Sequence, residues 1–320
     1  MPPDPANFQA EFHRRWLHLN NPHVRSLAWL LDAPDLLDPN APQWQGKIAS
    51  LGPIEPQTED WLNALDKSPG MLHTYLGIQP FTRLGRYAEK LMAFYFAHQG
   101  MLVAHGLQVQ AGKNETIGEF DFLLRQGGAL VHWEFASKFY LLESCGAALA
   151  ADHFVGPNLA DSLGAKVRKI MDRQLTLSQH PAAQLHLPQP VTQAQALVKG
   201  WLFYYGQTPQ PAVMTGLSKP HCRGFWCPLA ELDAIAGQRY MILPRLSWLA
   251  PAKAGAGQCL HRHQVQESLS EHFSSDSMPV LIAILDQVGD DLIEIDRGFI
   301  VPDDWKGRAG EKVSRMVLAA

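Results

Sequence analysis

Residues 118–142 read GEFDFLLRQGGALVHWEFASKFYLL, and the alternation within this stretch decides the architecture. Apolar and polar side chains change places with a period close to two, the pattern of β-strands with two distinct faces. On the first arm Phe120, Phe122 and Leu124 are expected on one face, and Glu119, Asp121, Leu123 and Arg125 on the other. On the second, Val131, Trp133, Phe135, Phe139 and Leu141 alternate with His132, Glu134, Ala136, Lys138 and Tyr140. Between the arms, Gly127-Gly128 suits a two-residue turn, because a type I′ turn needs positive φ at both central positions. Counting outward from that turn pairs Gln126 with Ala129 and, further along, Asp121 with Glu134. The two acids then share one sheet face with Cβ atoms about 5 Å apart, where like charges repel. A proton, a basic side chain or a divalent cation must offset that repulsion. Mg²⁺ suits the position, since it is typically held by one or two carboxylates with waters and substrate phosphate.

The flanks extend the pattern. Thr82–Gln99 predicts an amphipathic helix, with Thr82 as N-cap and Gly100 just past its end. Glu89 falls on a helical stripe with Gly85, Met92, Ala93 and Phe96. A carboxylate on such a stripe needs a partner to be buried, and a cation between helix and hairpin is the expected one. Met101–Gln110 predicts a strand. After a turn at Gly156–Asn158, Leu159–Gln179 predicts a second long helix, and Ala194–Tyr205 a further buried strand. On the second helix Lys166, Lys169 and Arg173 share a face at spacings of three and four, with Gln174 adjoining. Such a patch can follow a phosphate backbone. Lys138 shares the face of Glu134, so its ammonium can lean back toward the acids. The plainer alternative is that all these charges are the wet face of a half-exposed antiparallel sheet.

Three zones result. Residues 1–78 read as a helical accessory layer, with helices at His23–Leu37 and Thr58–Leu65 and Pro34 ending or kinking the first. Residues 79–206 carry the chemistry. Residues 207–320 read as an α/β extension packed on that core, with strands at Arg239–Leu243 and Val280–Leu285 and a helix at Gln264–Phe273. The 320 residues suffice for a sizeable core. Net charge is −4 with 18% charged residues, so any polyanion site must be local. Four cysteines make no disulfide scaffold, no apolar run is long enough to span a bilayer, and no leader peptide is visible. The expectation is a soluble cytoplasmic protein. Cys222 and Cys227 with His221, ahead of Cys259, His261 and His263, are too irregular for a zinc site to be expected. Cys145 beside His153 lacks an orienting group for thiol chemistry, and Trp201, Tyr204 and Tyr205 read as core.

Helix with Glu89, strand, strand with Asp121, hairpin, strand with Glu134 and Lys138, then helix and strand, resembles the common core of the PD-(D/E)XK nuclease superfamily over residues 79–206. More narrowly, HVRSLAWLL, RLGRYAEKL, GEFDFLL, HWEFASKFYL and VGPNLADSLGAKVRKIMDRQL resemble an uncharacterised bacterial family placed in that superfamily. The resemblance implies a mixed α/β sheet with a restriction-endonuclease-like core and Mg²⁺-dependent hydrolysis of nucleic-acid phosphodiesters, with Mn²⁺ as substitute. DNA is the expected substrate, and pairing of two copies is a further implication. Asp121 and Glu134 match the metal-binding acids, Glu89 the first-helix glutamate, and Gln174 an accessory polar residue. Lys138 is the candidate motif lysine, although it sits four residues after Glu134, about 13 Å along a regular strand, while Ala136 holds the usual place. The competing expectation is a catalytically silent nuclease-fold protein that binds nucleic acid or a protein partner, or an interaction module whose carboxylates are surface decoration.

Overall fold

The computed structural model describes residues 7–112, 115–143, 151–206 and 215–318. Four helices come first: α1 (Phe8–Trp16), α2 (Pro22–Asp32), α3 (Pro56–Lys67) and α4 (Gly70–Leu76). The start of α2 shows why this zone is helical. Pro22 occupies the first turn, and the Asn21 side chain accepts from the amides of His23 and Val24. The helix stops at Asp32 because Ala33, which precedes Pro34, is extended.

Next come α5 (Leu84–His98), β1 (Leu102–Gly112), β2 (Glu115–Gln126), β3 (Ala129–Leu142), β4 (Phe154–Val155), α6 (Leu163–Lys169), α7 (Pro181–Gln184) and β5 (Val191–Tyr205). The chain continues through β6 (Cys222–Pro228), β7 (Arg239–Ile242), β8 (Lys253–Ala254), α8 (Arg262–Ser275), β9 (Val280–Val288), β10 (Asp291–Val301) and α9 (Trp305–Leu318). Among the described residues ten strands join one sheet, in the order β1-β2-β3-β5-β6-β10-β9-β7, with β4 beside β3 and β8 beside β10. β1, β2 and β3 are antiparallel neighbours, whereas β5 lies parallel to β3, and β6 lies parallel to both β5 and β10. The sheet is therefore mixed, and it continues unbroken from the middle zone into the C-terminal one.

The hairpin forms as expected. Gly127 and Gly128 have φ of 54° and 88°, and Gln126 pairs with Ala129, continuing to Phe122 with Trp133. Regular pairing ends there, one step before Asp121 and Glu134. The alternation of β3 is also as expected: Val131, Trp133, Phe135, Phe139 and Leu141 enter the principal core, while Ala136 and Tyr140 enter a second cluster under α6. On β2 the expected face breaks. Phe122 and Leu124 join the principal core, but Phe120 packs with Leu123, Leu130 and Val109 in a separate cluster. The inside–outside phase slips at Asp121.

Two helix expectations need correction. α5 is capped by Arg83 without a side-chain hydrogen bond, not by Thr82; Gly100, with φ of 66°, does lie just past its end. The second helix does not start at Leu159, whose φ is 57°. It starts after Ser162, whose hydroxyl accepts from Ala165 N, runs to Lys169, then widens into a π-turn over Ile170–Gln174. A 3-10 turn at Leu177–Gln179 follows.

The principal core brings Trp16, Leu27 and Trp29 of the N-terminal helices against Phe96, Trp133, Trp201 and Phe299. α1 lies on β10, with Asn7 donating to Ile295 O at 3.2 Å and Gln9 to Arg223 O at 3.4 Å. At the centre is a buried ion pair, in which Arg297 Nε and Nη2 donate to Glu294 Oε1 and Oε2 at 2.6 and 2.8 Å. Residues three apart on a regular strand face opposite ways. A register shift between Glu294 and Asp296 turns both side chains into the same interior. The Arg297 guanidinium also lies 4.0 Å from the Trp201 ring centroid. Among the described residues no helix is long and apolar enough to cross a membrane.

Candidate functional site

Where β2 and β3 part, Asp121 uses the freed hydrogen-bonding edge. Its Oδ2 accepts from the amide of Phe135 at 2.9 Å. That contact holds the aspartate beside Glu134, close enough for the charge of one acid to act on the other. Glu134 is only 1% exposed and His132 0%, whereas Asp121 is half-buried and Glu119 and Arg125 are exposed, so the face is dry on β3 and wet along β2. Burial, then the charge of Glu134, pushes Asp121 up to about 8. Burial likewise pushes Glu134 up to about 7, against a lowering by the charge of Lys166. Near neutral pH the pair therefore retains a proton.

Both oxygens of Glu134 are oriented. His132, two residues back on the same face of β3, donates through Nε2 to Oε1 at 2.9 Å. Burial drops this imidazole to about 4, so it is neutral at pH 7, and its Nδ1 is buried without a partner. The tautomer follows from that contact. On the other side Gln174 Nε2 donates to Oε2, and Lys166 Nζ donates to Gln174 Oε1 at 3.1 Å. The π-turn brings Gln174 round to Lys166, eight residues before it. Lys166 thus faces the acid pair, and its ammonium is driven down first by burial and then by the charge of Lys138.

Lys138 does not lean toward Glu134. Its ammonium donates to Asp161 Oδ2 at 2.9 Å, and Tyr140 OH donates to the same oxygen at 3.1 Å. Glu89 is also accounted for differently from expectation. His105 Nε2 on β1 contacts its Oε1 at 2.8 Å, so the carboxylate needs no cation between helix and hairpin. Its charge nonetheless reaches the pair and raises both acids. The basic face separates: Lys166 turns inward, while Lys169 and Arg173 are exposed. Arg168 is held to Asp152 by two bonds at 2.8 and 2.9 Å.

Among the described residues no group of three or more His, Cys, Asp or Glu side chains converges as a metal cage. The donor set at Asp121 and Glu134 fits a hard cation that keeps most of its waters, which is how Mg²⁺ is usually bound. The Cys222 and Cys227 thiols enter different clusters on the two faces of the sheet. His221 is occupied by Tyr204 OH at 2.8 Å and Ser218 O at 2.6 Å. Cys145 lies outside the described residues. Trp201 and Tyr204 are buried in core clusters, and Tyr205 is half-buried against them. Sequence reasoning missed His132 and Asp161. His132 was legible from its two-residue spacing to Glu134; Asp161 carried no signal, since it sits in a loop.

Over residues 25–301 the chain matches the family model described as Domain of unknown function (DUF1853), and it belongs to that family. No curated protein and no solved structure matches it.

Proposed function

For this member of the DUF1853 family, we propose a divalent-metal-dependent phosphodiesterase acting on nucleic acid, with DNA as the substrate. The observation that carries the reading is the Asp121–Glu134 pair, a half-buried and a buried carboxylate raised to about 8 and 7 that call for a cation once ionised. The order α5–β1–β2–β3–α6–β5, with β5 parallel to β3, supports a restriction-endonuclease-like PD-(D/E)XK core. Asp121 and Glu134 would hold Mg²⁺ or Mn²⁺, which when bound would polarise the scissile phosphate and lower the pKa of water. His132 and Gln174 fix the two oxygens of Glu134, so the ligand is pre-oriented. Lys166 supplies the cation facing the developing phosphate charge, the role that Lys138 cannot fill while paired with Asp161. Glu89 contributes field at the pair, and exposed Lys169 and Arg173 would follow the flanking phosphates.

The commitment of Lys138 to Asp161 favours one rival, a catalytically silent member that binds nucleic acid or a protein partner. Labelled single-stranded, duplex and branched DNA, with RNA alongside, would be incubated with Mg²⁺, Mn²⁺ or EDTA. Metal-dependent cutting should vanish in Asp121→Ala, fall roughly 100-fold or more in Lys166→Ala, and persist in Lys138→Ala. Absence of cutting by the wild type on every substrate selects the silent member. Cutting that survives in Asp121→Ala overturns the assignment of the pair.

A further inference from the structure

A cavity of about 490 Å³ lies between the start of α2, Tyr87 of α5 and the chain around β7 and β8. It includes none of the residues of the acid-pair site, and its size is that of a small-ligand pocket. Its floor is apolar, formed by Met241, Leu243, Leu246 and Ala250. Its charged wall is Arg25, Lys253 and Asp291.

Arg25 is the unusual member. It is 6% exposed; its guanidinium donates to the main-chain carbonyls of Trp16 at 3.0 Å, Leu19 at 3.3 Å and Pro251 at 2.9 Å and lies 5.3 Å from the Phe12 ring centroid. Among the described residues no carboxylate lies within ion-pair distance of it. The charges of Glu294, Asp66 and Asp291 act on it from beyond ion-pair distance, and burial still lowers it to about 10. Lys253 adds a second cation, bonded to Leu17 O and Asn20 Oδ1, each at 2.9 Å. Asp291 supplies the one acid, 3.2 Å from Lys253. Among the residues that line the cavity, two cations thus meet one carboxylate beside an apolar floor. Tyr87 OH and His23 Nδ1, 2.7 Å apart, add polar groups at the rim.

We propose that this cavity is a binding site for a small amphipathic monoanion. An aliphatic or aromatic carboxylate or sulfonate fits, with its apolar body on Leu243, Leu246 and Met241 and its head group toward Arg25 and Lys253. The site is independent of the phosphodiesterase reading.

The probe is 8-anilinonaphthalene-1-sulfonate titrated into the full chain, followed by displacement with octanoate or octanol. One saturable site is expected, with octanoate displacing the dye at a concentration at least roughly tenfold lower than octanol, a difference of about 1.4 kcal/mol. Leu246→Trp, which fills the floor, should weaken dye binding by roughly tenfold or more, and Lys253→Gln by several-fold. Near-UV circular dichroism would establish that each variant is folded. The octanoate–octanol comparison needs only the wild type and stands if a variant misfolds. Equal displacement by the alcohol, an absence of saturable binding, or binding unchanged in folded Leu246→Trp would each overturn the proposal.

Discussion

Asp121 and Glu134 resist ionisation because the charged forms are buried and repel each other, so the pair is a pH-dependent stress between β2 and β3. Asp121 is raised from 3.8 to about 8 in the folded chain. A raised folded pKa contributes stability that is fully present below the unfolded value and lost as pH rises through the folded one. This residue therefore makes the protein progressively less stable between about pH 4 and pH 8. Asp121→Asn should leave the melting temperature near the wild-type value at the acid end and raise it above wild type by pH 8.5. Scans at half-unit pH intervals without divalent cations would check this. A constant difference across the range would show that the asparagine acts through packing instead. On the proposed reading Mg²⁺ would compete with the same proton, so its stabilisation of the wild type should be larger at pH 8.5 than at pH 6 and absent in the variant.

The close approach of β3 and β5 is the most restrictive element contact near the site. Gly200 pairs with Lys138, and a Cβ there would sit 2.0 Å from Lys138 O. Gly200→Ala must push the parallel strands apart, and a loss of at least about 2 kcal/mol is expected from urea unfolding. A loss under about 0.5 kcal/mol would show that the strands can shift freely. At this scale the hairpin was legible in the sequence, because two glycines and an unbroken alternation leave one register for the arms. The end of α2 was legible from Pro34 for the same kind of local reason. The start of α6 was not, since Leu159 looks helical by type but takes a left-handed φ of 57° while Ser162 supplies the cap. The spacing of Lys166, Lys169 and Arg173 predicts one shared basic face that can follow a phosphate backbone, yet Lys166 leaves it. Its inward turn depends on the π-turn that carries Gln174 to Glu134, and a regular helical period contains no sign of one. Lys138 was misplaced because its partner, Asp161, comes from a loop.

Across the whole molecule, one sheet and one principal core tie the N-terminal helices to the last strands. The Glu294–Arg297 pair lies at that junction, both side chains fully buried. Glu294→Ala would strand a buried guanidinium and should cost about 3–5 kcal/mol, read from the shift in the urea midpoint at unchanged slope. Little or no shift would mean that the Arg297 carbonyl contacts and the Trp201 ring suffice. The seat of α1 on β10 sets the order of events during synthesis. Phe8 emerges early, but Trp201, which it meets edge-on, is made nearly 200 residues later, and the β10 residue that Asn7 bonds nearly 290 later, on the order of 15–60 s at usual translation rates. Throughout that interval a greasy helix is available to holdase chaperones. A nascent chain stalled before β10 should therefore be clipped by protease within α1, whereas a released full chain is protected there. Of the segments that meet at this junction, the earliest made is the last to be seated.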